Sequence, residues 1–108
     1  MQGFTRRIKM INTDYENDTL RVYLSGELDH NRAAEIRTAI DSRINSLRPK
    51  KLELDFSKVS FMDSSGIGLI MGRYRAVGLI GGELKIKNVP DSLSRIIELS
   101  GVITLGVL

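Results

Sequence analysis

The sequence predicts one α/β domain, in which a mixed β-sheet begins with a hairpin and carries about three to four helices. Two kinds of segment alternate along the chain. In one kind every second residue is apolar, and in the other the apolar residues recur every three or four positions. A short polar turn separates the first two strand-like segments, as in a hairpin. The chain has 108 residues, which suits one hydrophobic core and is too short for two. We therefore expect residues 1–108 to form a single domain.

The predicted hairpin pairs Arg6–Thr13 with Thr19–Leu24. Glu16, Asn17 and Asp18 between them are typical of a turn. Ser25 and Gly26 then predict a break at the end of the second strand.

A first helix is predicted by apolar residues spaced three and four apart, at Ala33, Ile36, Ile40, Ile44 and Leu47. Pro49 ends it, because proline has no backbone N–H and cannot continue a helix. The positions between the apolar residues alternate in charge, as on a solvent-exposed face; they are Arg32, Glu35, Arg37, Asp41 and Arg43.

The next strand and helix meet at a cluster of capping residues. Leu52, Leu54 and Phe56 alternate with acidic residues as in a strand, which continues toward Val59 and Phe61 after a predicted turn at Ser57 and Lys58. Asp63, Ser64 and Ser65 are typical of a helix N-cap. The helix they introduce, Gly66 to Val77 and closed by Gly78, is apolar nearly all round, at Ile67, Leu69, Ile70, Met71 and Tyr74.

The last third of the chain predicts a short strand, a third helix and an edge strand. Gly81 and Gly82 supply a turn before the strand Leu84 to Ile86. Pro90 and Asp91 open the helix, and Gly101 ends it. Its inward residues are Leu93, Ile96 and Ile97. Val102 to Leu108 is predicted to be a last edge strand.

Composition excludes several classes of protein. The chain has no cysteine, which excludes disulfides, thiolate zinc sites and cysteine nucleophiles and fits a reducing cytoplasm. The longest apolar stretch, Ile67 to Met71, is far below the roughly 20 residues that cross a bilayer. No apolar signal-peptide core follows Arg6 and Arg7. We expect a cytoplasmic protein that does not enter a membrane.

The formal charge of +3 does not indicate a nucleic-acid-binding protein. Its sixteen basic residues are spread from Arg6 to Arg95 and interleaved with acids, whereas a nucleic-acid footprint is clustered. No recognised DNA- or RNA-reading motif is present, and we expect no direct nucleic-acid contact.

Catalytic sites find little support. His30 is the only histidine, which excludes a site built from several histidines. Ser64, His30 and Asp29 supply the residue types of a hydrolase triad, but Ser64 lacks the glycine-flanked elbow of such nucleophiles. We therefore expect a protein that is not an enzyme. A hydrolase is kept as an alternative.

The loop around Ser64 allows two interpretations. Gly66, Gly68 and Gly72 miss the dinucleotide fingerprint by one residue, and no P-loop lysine follows. Ser64, Ser65 and Gly66 nevertheless lie where a strand gives way to a helix, and backbone amides and the helix dipole attract anions there. The loop therefore either merely caps the helix or holds a phosphate, which is free or covalently bound to Ser64.

Three stretches together resemble the anti-sigma factor antagonists, the small STAS-domain proteins of bacteria. They are Ser-Gly-Glu-Leu-Asp-His at 25–30, Asp-Phe-Ser-Lys-Val-Ser-Phe-Met-Asp-Ser-Ser-Gly-Ile-Gly at 55–68, and Gly-Arg-Tyr at 72–74. The match looks closest to the sporulation antagonists of endospore formers and runs from the first hairpin to Ser100 and Gly101. The resemblance implies a STAS-type sheet.

The resemblance also implies a function. In this family the serine after the aspartate of Asp-Ser-Ser-Gly, here Ser64, is phosphorylated by the anti-sigma factor, which is a serine kinase. The unphosphorylated antagonist binds that kinase and releases the sigma factor, and a serine phosphatase resets the system. Asp29 contributes to recognition by the kinase. The implied partner-binding residues are Asp29, His30, Asp63, Ser65, Gly66, Ile67 and Gly68.

Two alternatives stay open beside the sporulation antagonist, namely a general stress-response antagonist of the same family and a module that binds a small anion or a nucleotide. The sequence also departs from the family in two places. Met1 to Arg7 is an extra charged stretch, and the chain ends at Leu108, where family members usually continue through a final helix. We therefore expect that either the tail is rearranged or that face of the sheet is covered differently.

Overall fold

The structure is a computed structural model that describes residues 11–108. Its elements in chain order are β1 (Ile11–Glu16), β2 (Thr19–Leu28), α1 (His30–Leu47), β3 (Lys51–Met62), α2 (Ser64–Gly78), β4 (Glu83–Lys87), α3 (Asp91–Leu99) and a 3-10 helix (Val102–Leu105). The predicted mixed sheet with an initial hairpin and three helices is confirmed. Among the described helices, none is long and apolar enough to span a membrane.

The sheet order is β1-β2-β3-β4. β1 pairs antiparallel with β2 through a tight turn at Asn17 and Asp18, whose φ values of 54° and 62° are those of a two-residue hairpin turn. Residues 6–10 of the predicted first strand lie outside the described part of the chain. β2, β3 and β4 are parallel, and α1 and α2 are the crossovers between them. Both helices therefore begin at the same edge of the sheet.

One face of the sheet and the inner faces of the helices form the hydrophobic core. α1 contributes Ile36, Ile40 and Ile44, as predicted, and α3 contributes Leu93 and Ile97. Leu47 was predicted to point inward and is exposed, because α1 ends there. The strand residues of the core are Ile11, Leu20, Val22, Leu24, Leu28, Leu52, Leu54, Phe56, Val59, Met62, Leu84 and Ile86.

The break predicted at Ser25 and Gly26 and the turn predicted at Ser57 and Lys58 are both wrong, because β2 and β3 run straight through them. The pairing of β2 with β3 shifts twice, between Tyr23 and Ser25 and between Gly26 and Glu27. Each shift leaves one extra residue on β3, which is a β-bulge. The turn-like residues therefore mark irregularities inside long strands.

The predicted burial of α2 needs a second correction. Met71 and Tyr74 are exposed, whereas Arg73 is buried together with Leu69, Ile70 and Val77. The buried residues follow the spacing of three and four along one face. α2 is thus an amphipathic helix that carries an arginine on its inner face.

The predicted edge strand Val102 to Leu108 is wrong, because residues Val102–Leu105 form a 3-10 helix. Gly101 and Gly106 flank it with φ values of 82° and 73°, which are left-handed and interrupt an extended strand. One backbone hydrogen bond still joins the tail to β4, because the Ile86 amide donates to the Val107 carbonyl at 2.7 Å. The tail thus covers the outer edge of β4 without pairing along it.

Candidate functional site

Two helix N-termini meet at one edge of the sheet. β2 ends at Leu28 and β3 ends at Met62, and these two residues are paired in register. The Asp63 amide donates to the Leu28 carbonyl at 3.5 Å, which ties the two strand ends together. Asp29 and Asp63, one residue further along each chain segment, are therefore neighbours in the fold although they are far apart in sequence.

Asp29 is the N-cap of α1. Its carboxylate accepts a hydrogen bond from the Arg32 amide at 3.0 Å, and its carbonyl accepts one from the Ala33 amide at 2.9 Å. The Arg32 guanidinium lies 3.5 Å from the Asp29 carboxylate and 3.9 Å from that of Glu27. These pairs are partly exposed and contribute little to stability. Asp29 therefore has a structural role as a cap, which the sequence analysis did not assign to it.

Asp63 alone caps α2. Its carboxylate accepts a hydrogen bond from the Ser65 amide at 2.8 Å, and its carbonyl accepts one from the Gly66 amide at 3.0 Å. Ser64 is the first residue of α2 and is exposed. Its hydroxyl has no hydrogen-bond partner within residues 11–108. The side chain of Ser64 is thus exposed and takes no part in the cap, which Asp63 provides.

This placement suits an anion on Ser64. The first turn of a helix has backbone N–H groups without carbonyl partners and the positive end of the helix dipole. A phosphate there would meet that favourable potential, although the Asp63 carboxylate would partly repel it. The first turn of α2 therefore offers an anion a favourable potential.

The other sequence-predicted residues surround Ser64 to different extents. His30 and Gly68 are exposed, and Ser65 and Ile67 are half-buried. Gly66 is buried, because its Cα faces the side chains of Met62 and Leu28. The exposed members of this set are accessible at the surface, whereas Gly66 packs beneath the loop.

The hydrolase triad weighed from the sequence is not assembled. The Asp29 carboxylate is occupied by the Arg32 amide and guanidinium, and no hydrogen bond joins it to His30 within the described chain. A base oriented by a carboxylate is the defining geometry of such a site. The geometry gives acyl transfer no support.

Beside the loop lies a groove that the sequence analysis did not foresee. It separates α1 from α2, has a volume of about 380 Å³, and is lined by His30, Ala33, Ala34, Arg37, Ser65, Gly68, Leu69, Gly72 and Arg73. The buried Arg73 is its most unusual member. Leu69, Arg73 and Val77 follow one another at intervals of four residues, so helical spacing places Arg73 on the inner face, but the predicted inner face was built from apolar residues alone.

The profile of the STAS domain family matches residues 10–105 of the chain. The match thus spans the four strands and three α-helices of the described part of the chain.

Two relatives are similar along most of their length. The anti-sigma F factor antagonist of Paenibacillus polymyxa is 35% identical over 92 residues, which are 85% of this chain and 79% of that protein. The anti-sigma-B factor antagonist of Bacillus subtilis is 32% identical over 87 residues, which are 81% of this chain and 77% of that protein.

The fold is also similar to a solved structure, that of the anti-sigma factor antagonist SpoIIAA in its unphosphorylated form. The TM-score is 0.78 with 29% sequence identity, and the match covers 88% of this chain and 84% of SpoIIAA. Sequence and structure comparisons thus agree on the same kind of protein.

Proposed function

The chain belongs to the STAS domain family, and within it to the anti-sigma factor antagonists, and from this premise we propose that Ser64 is its regulatory phosphorylation site. In this proposal the unphosphorylated protein binds an anti-sigma factor that is a serine kinase, and the sigma factor is released. Phosphorylation of Ser64 by that kinase ends the binding, and a serine phosphatase restores it. The protein acts in the cytoplasm as a binding partner and a substrate, without catalysis of its own and without contact to nucleic acid.

The observation that carries the proposal is the position of Ser64. Its exposed hydroxyl stands at the first position of α2, directly after the capping Asp63. A kinase active site needs an accessible hydroxyl that is held in a defined place. The Asp63 cap holds the backbone on either side of Ser64 and leaves the hydroxyl unoccupied.

The charge around Ser64 explains how the modification would act. A phosphate adds about 1.5 to 2 negative charges beside Asp63, at an edge that also carries Asp29 and Glu27. A partner that fits the neutral hydroxyl must then desolvate the phosphate or place its own surface against it. A change of about 3 to 4 kcal/mol in binding free energy weakens affinity several hundredfold. Local charge is therefore sufficient for the switch.

Similarity extends to relatives named for sigma F and to relatives named for sigma B. Both alternatives, a sporulation antagonist and a general stress antagonist, are therefore compatible with the proposed site and mechanism. The two are distinguished by the kinase that phosphorylates the protein.

The decisive experiment incubates the purified protein with each candidate anti-sigma factor and ATP, followed by peptide mass spectrometry. We expect one phosphoryl group, located on Ser64. The variant Ser64→Ala should accept none, and the matched control Ser65→Ala should be phosphorylated as the wild type is. Phosphate on Ser65 in the wild-type protein, or none with any anti-sigma factor of the organism, would contradict the proposal.

A binding measurement tests the other half of the cycle. Ser64→Ala should bind the anti-sigma factor with unchanged affinity in the presence of ATP, whereas wild-type binding should decay as phosphate accumulates. Since Asp63 provides the cap, the substitution should change the free energy of unfolding by less than about 0.5 kcal/mol. A variant that folds normally and fails to bind would show that the hydroxyl itself is part of the interface.

A further inference from the structure

The groove between α1 and α2 differs in character along its length. α1 and α2 both start at the carboxyl edge of the sheet, so His30 and Ser65 lie at the groove's upper end. Arg37 and Arg73 lie about two helical turns further down. Small and apolar side chains line the space between, at Ala33, Ala34, Gly68, Leu69 and Gly72.

Positive charge at the lower end is not fully compensated. The Arg73 side chain is 6% exposed, and its Nε lies 2.9 Å from Oδ1 of Asp41, which is itself 38% exposed. This ion pair lacks the geometry of a hydrogen bond, so Nε and Nη1 of Arg73 and Oδ1 of Asp41 are all buried without a hydrogen-bond partner in the described chain. Arg37, exposed on α1, adds a second guanidinium to the groove, and no acidic residue lines it.

The electrostatics of Arg73 agree with this picture. Burial lowers the pKa of the Arg73 guanidinium, the Asp41 carboxylate acts against that shift, and the Arg37 charge lowers the pKa further. Arginine nevertheless remains protonated at any physiological pH. Two fixed positive charges therefore face a single carboxylate, and buried donors without acceptors are rare in folded proteins.

We propose that this groove binds a small organic carboxylate, with its carboxyl group against Arg37 and Arg73 and its short apolar chain along Ala33, Gly68 and Gly72. One negative charge balances the two guanidiniums and Asp41, whereas a phosphate dianion would leave an excess. The fork of donors on a guanidinium also matches a carboxylate. The apolar wall favours a ligand with a hydrocarbon body over a bare anion.

This site is distinct from the Ser64 hydroxyl, although its upper end shares His30, Ser65 and Gly68 with the predicted partner-binding residues. Its test is a titration of the full chain, with amide shifts followed by NMR. The probes are hexanoate, hexanol and inorganic phosphate. We expect hexanoate to bind saturably, with shifts confined to α1 and the groove face of α2. Hexanol and phosphate should each bind at least tenfold more weakly.

Two variants with matched controls locate the site. Arg37→Gln should weaken hexanoate binding at least fivefold, whereas Arg75→Gln, an exposed arginine of α2 outside the groove, should change it by less than twofold. Gly72→Leu should abolish binding by filling the groove, since a Cβ there has no atom within 4 Å. Gly78→Leu, equally unobstructed and outside the groove, should bind as the wild type does.

Three results would overturn the proposal. They are the absence of saturable hexanoate binding to the wild-type protein, equal affinity for hexanol or phosphate, and unchanged binding by a folded Gly72→Leu variant. Each leaves the proposed phosphorylation of Ser64 unaffected, because that reaction is measured with kinase and ATP alone.

Discussion

At the scale of single residues, Gly66 connects the Ser64 loop to the hydrophobic core. A Cβ at this position would overlap the Met62 side chain, lie 2.6 Å from its Sδ atom, and stand 3.4 Å from Cβ of Leu28. Met62 is 5% exposed and packed within the core. The Met62 side chain therefore cannot move aside without displacing the core residues around it.

We predict opposite effects for two alanine substitutions in the same helix. Gly66→Ala should lower the free energy of unfolding by about 1 to 2 kcal/mol, because overpacking outweighs the helix propensity of alanine. Gly68→Ala meets no atom within 4 Å and should raise it by up to about 1 kcal/mol. Urea denaturation measures both. Equal stability of the two variants would show that Met62 moves aside freely.

Asp29 combines a structural and a proposed functional role, and two substitutions separate them. Asparagine caps helices about as well as aspartate, so Asp29→Asn should keep the free energy of unfolding within about 0.5 kcal/mol. Asp29→Ala removes the cap on the Arg32 amide and should cost about 1 kcal/mol. If the carboxylate takes part in kinase recognition, both variants should be phosphorylated more slowly. Normal phosphorylation of Asp29→Asn would show that the Asp29 carboxylate acts only as a helix cap and takes no part in kinase recognition.

At the scale of elements, the end of α1 stores local strain. Arg48 adopts a left-handed conformation with φ 46° and ψ 58°, and its amide donates to the Ile44 carbonyl at 2.8 Å. This is the position where helices usually place glycine. Pro49 is the predicted end of the helix, and the structure adds the left-handed residue before it.

Arg48→Gly should therefore stabilise the protein. Glycine adopts this conformation without the steric penalty of a side chain, although it also gains freedom in the unfolded chain. We expect an increase of about 0.5 to 1 kcal/mol in the free energy of unfolding, measured by thermal and urea denaturation. Arg48→Ala is the control, because it removes the guanidinium and keeps the penalty. Equal gains from both variants would assign the effect to charge.

The strands show why the sequence predicts the order of the elements better than it predicts the residues at which they begin and end. Asp55 lies two residues before Ser57, and its carboxylate accepts a hydrogen bond from the Ser57 amide at 2.8 Å. Partial burial alone would raise the pKa of Asp55, but the hydrogen bonds from Ser57 and Asn88 hold the pKa below its usual value. This local motif has the sequence of a turn and here forms a bulge inside β3. Whether the motif forms a turn or a bulge is decided by cross-strand pairing with β2, and the local sequence does not encode that pairing.

The tail illustrates the same limit. Its apolar residues suit a strand, and Val102 and Val107 are indeed buried. Burial, however, does not fix the backbone conformation. The left-handed glycines at 101 and 106 turn the segment into a 3-10 helix that packs against α3.

At the scale of the whole molecule, the proximity of the two loops was predictable and the groove was not. Parallel strands bring their carboxyl ends to one edge of the sheet. The order of elements therefore predicts that Asp29 and Ser64 lie close together. The groove depends on how α1 packs on α2 and on the small residues between them. Helical spacing places Arg73 on the inner face of α2, but its pairing with Asp41 on the facing helix is not contained in the pattern of any one segment.

The same organisation predicts how far the effect of phosphorylation spreads. The hydroxyl of Ser64 projects to solvent at the edge of the sheet, and the Asp63 cap beneath it is already formed. The helix dipole offsets part of the repulsion from Asp63. No buried contact has to break to accommodate the phosphate, so we expect the fold to stay as it is.

NMR spectra of the free protein before and after phosphorylation test this expectation. Amide shifts should be confined to residues 27–33 and 62–68, and the thermal midpoint should change by only a few degrees, since about 1 kcal/mol corresponds to roughly 4 to 8 °C in a domain of this size. Ser64→Ala treated with kinase and ATP is the control and should show no shifts. Changes extending through α3 and the 3-10 helix would mean that the signal travels by a rearrangement of the whole fold. Local charge would then not be the mechanism by which the partner is released.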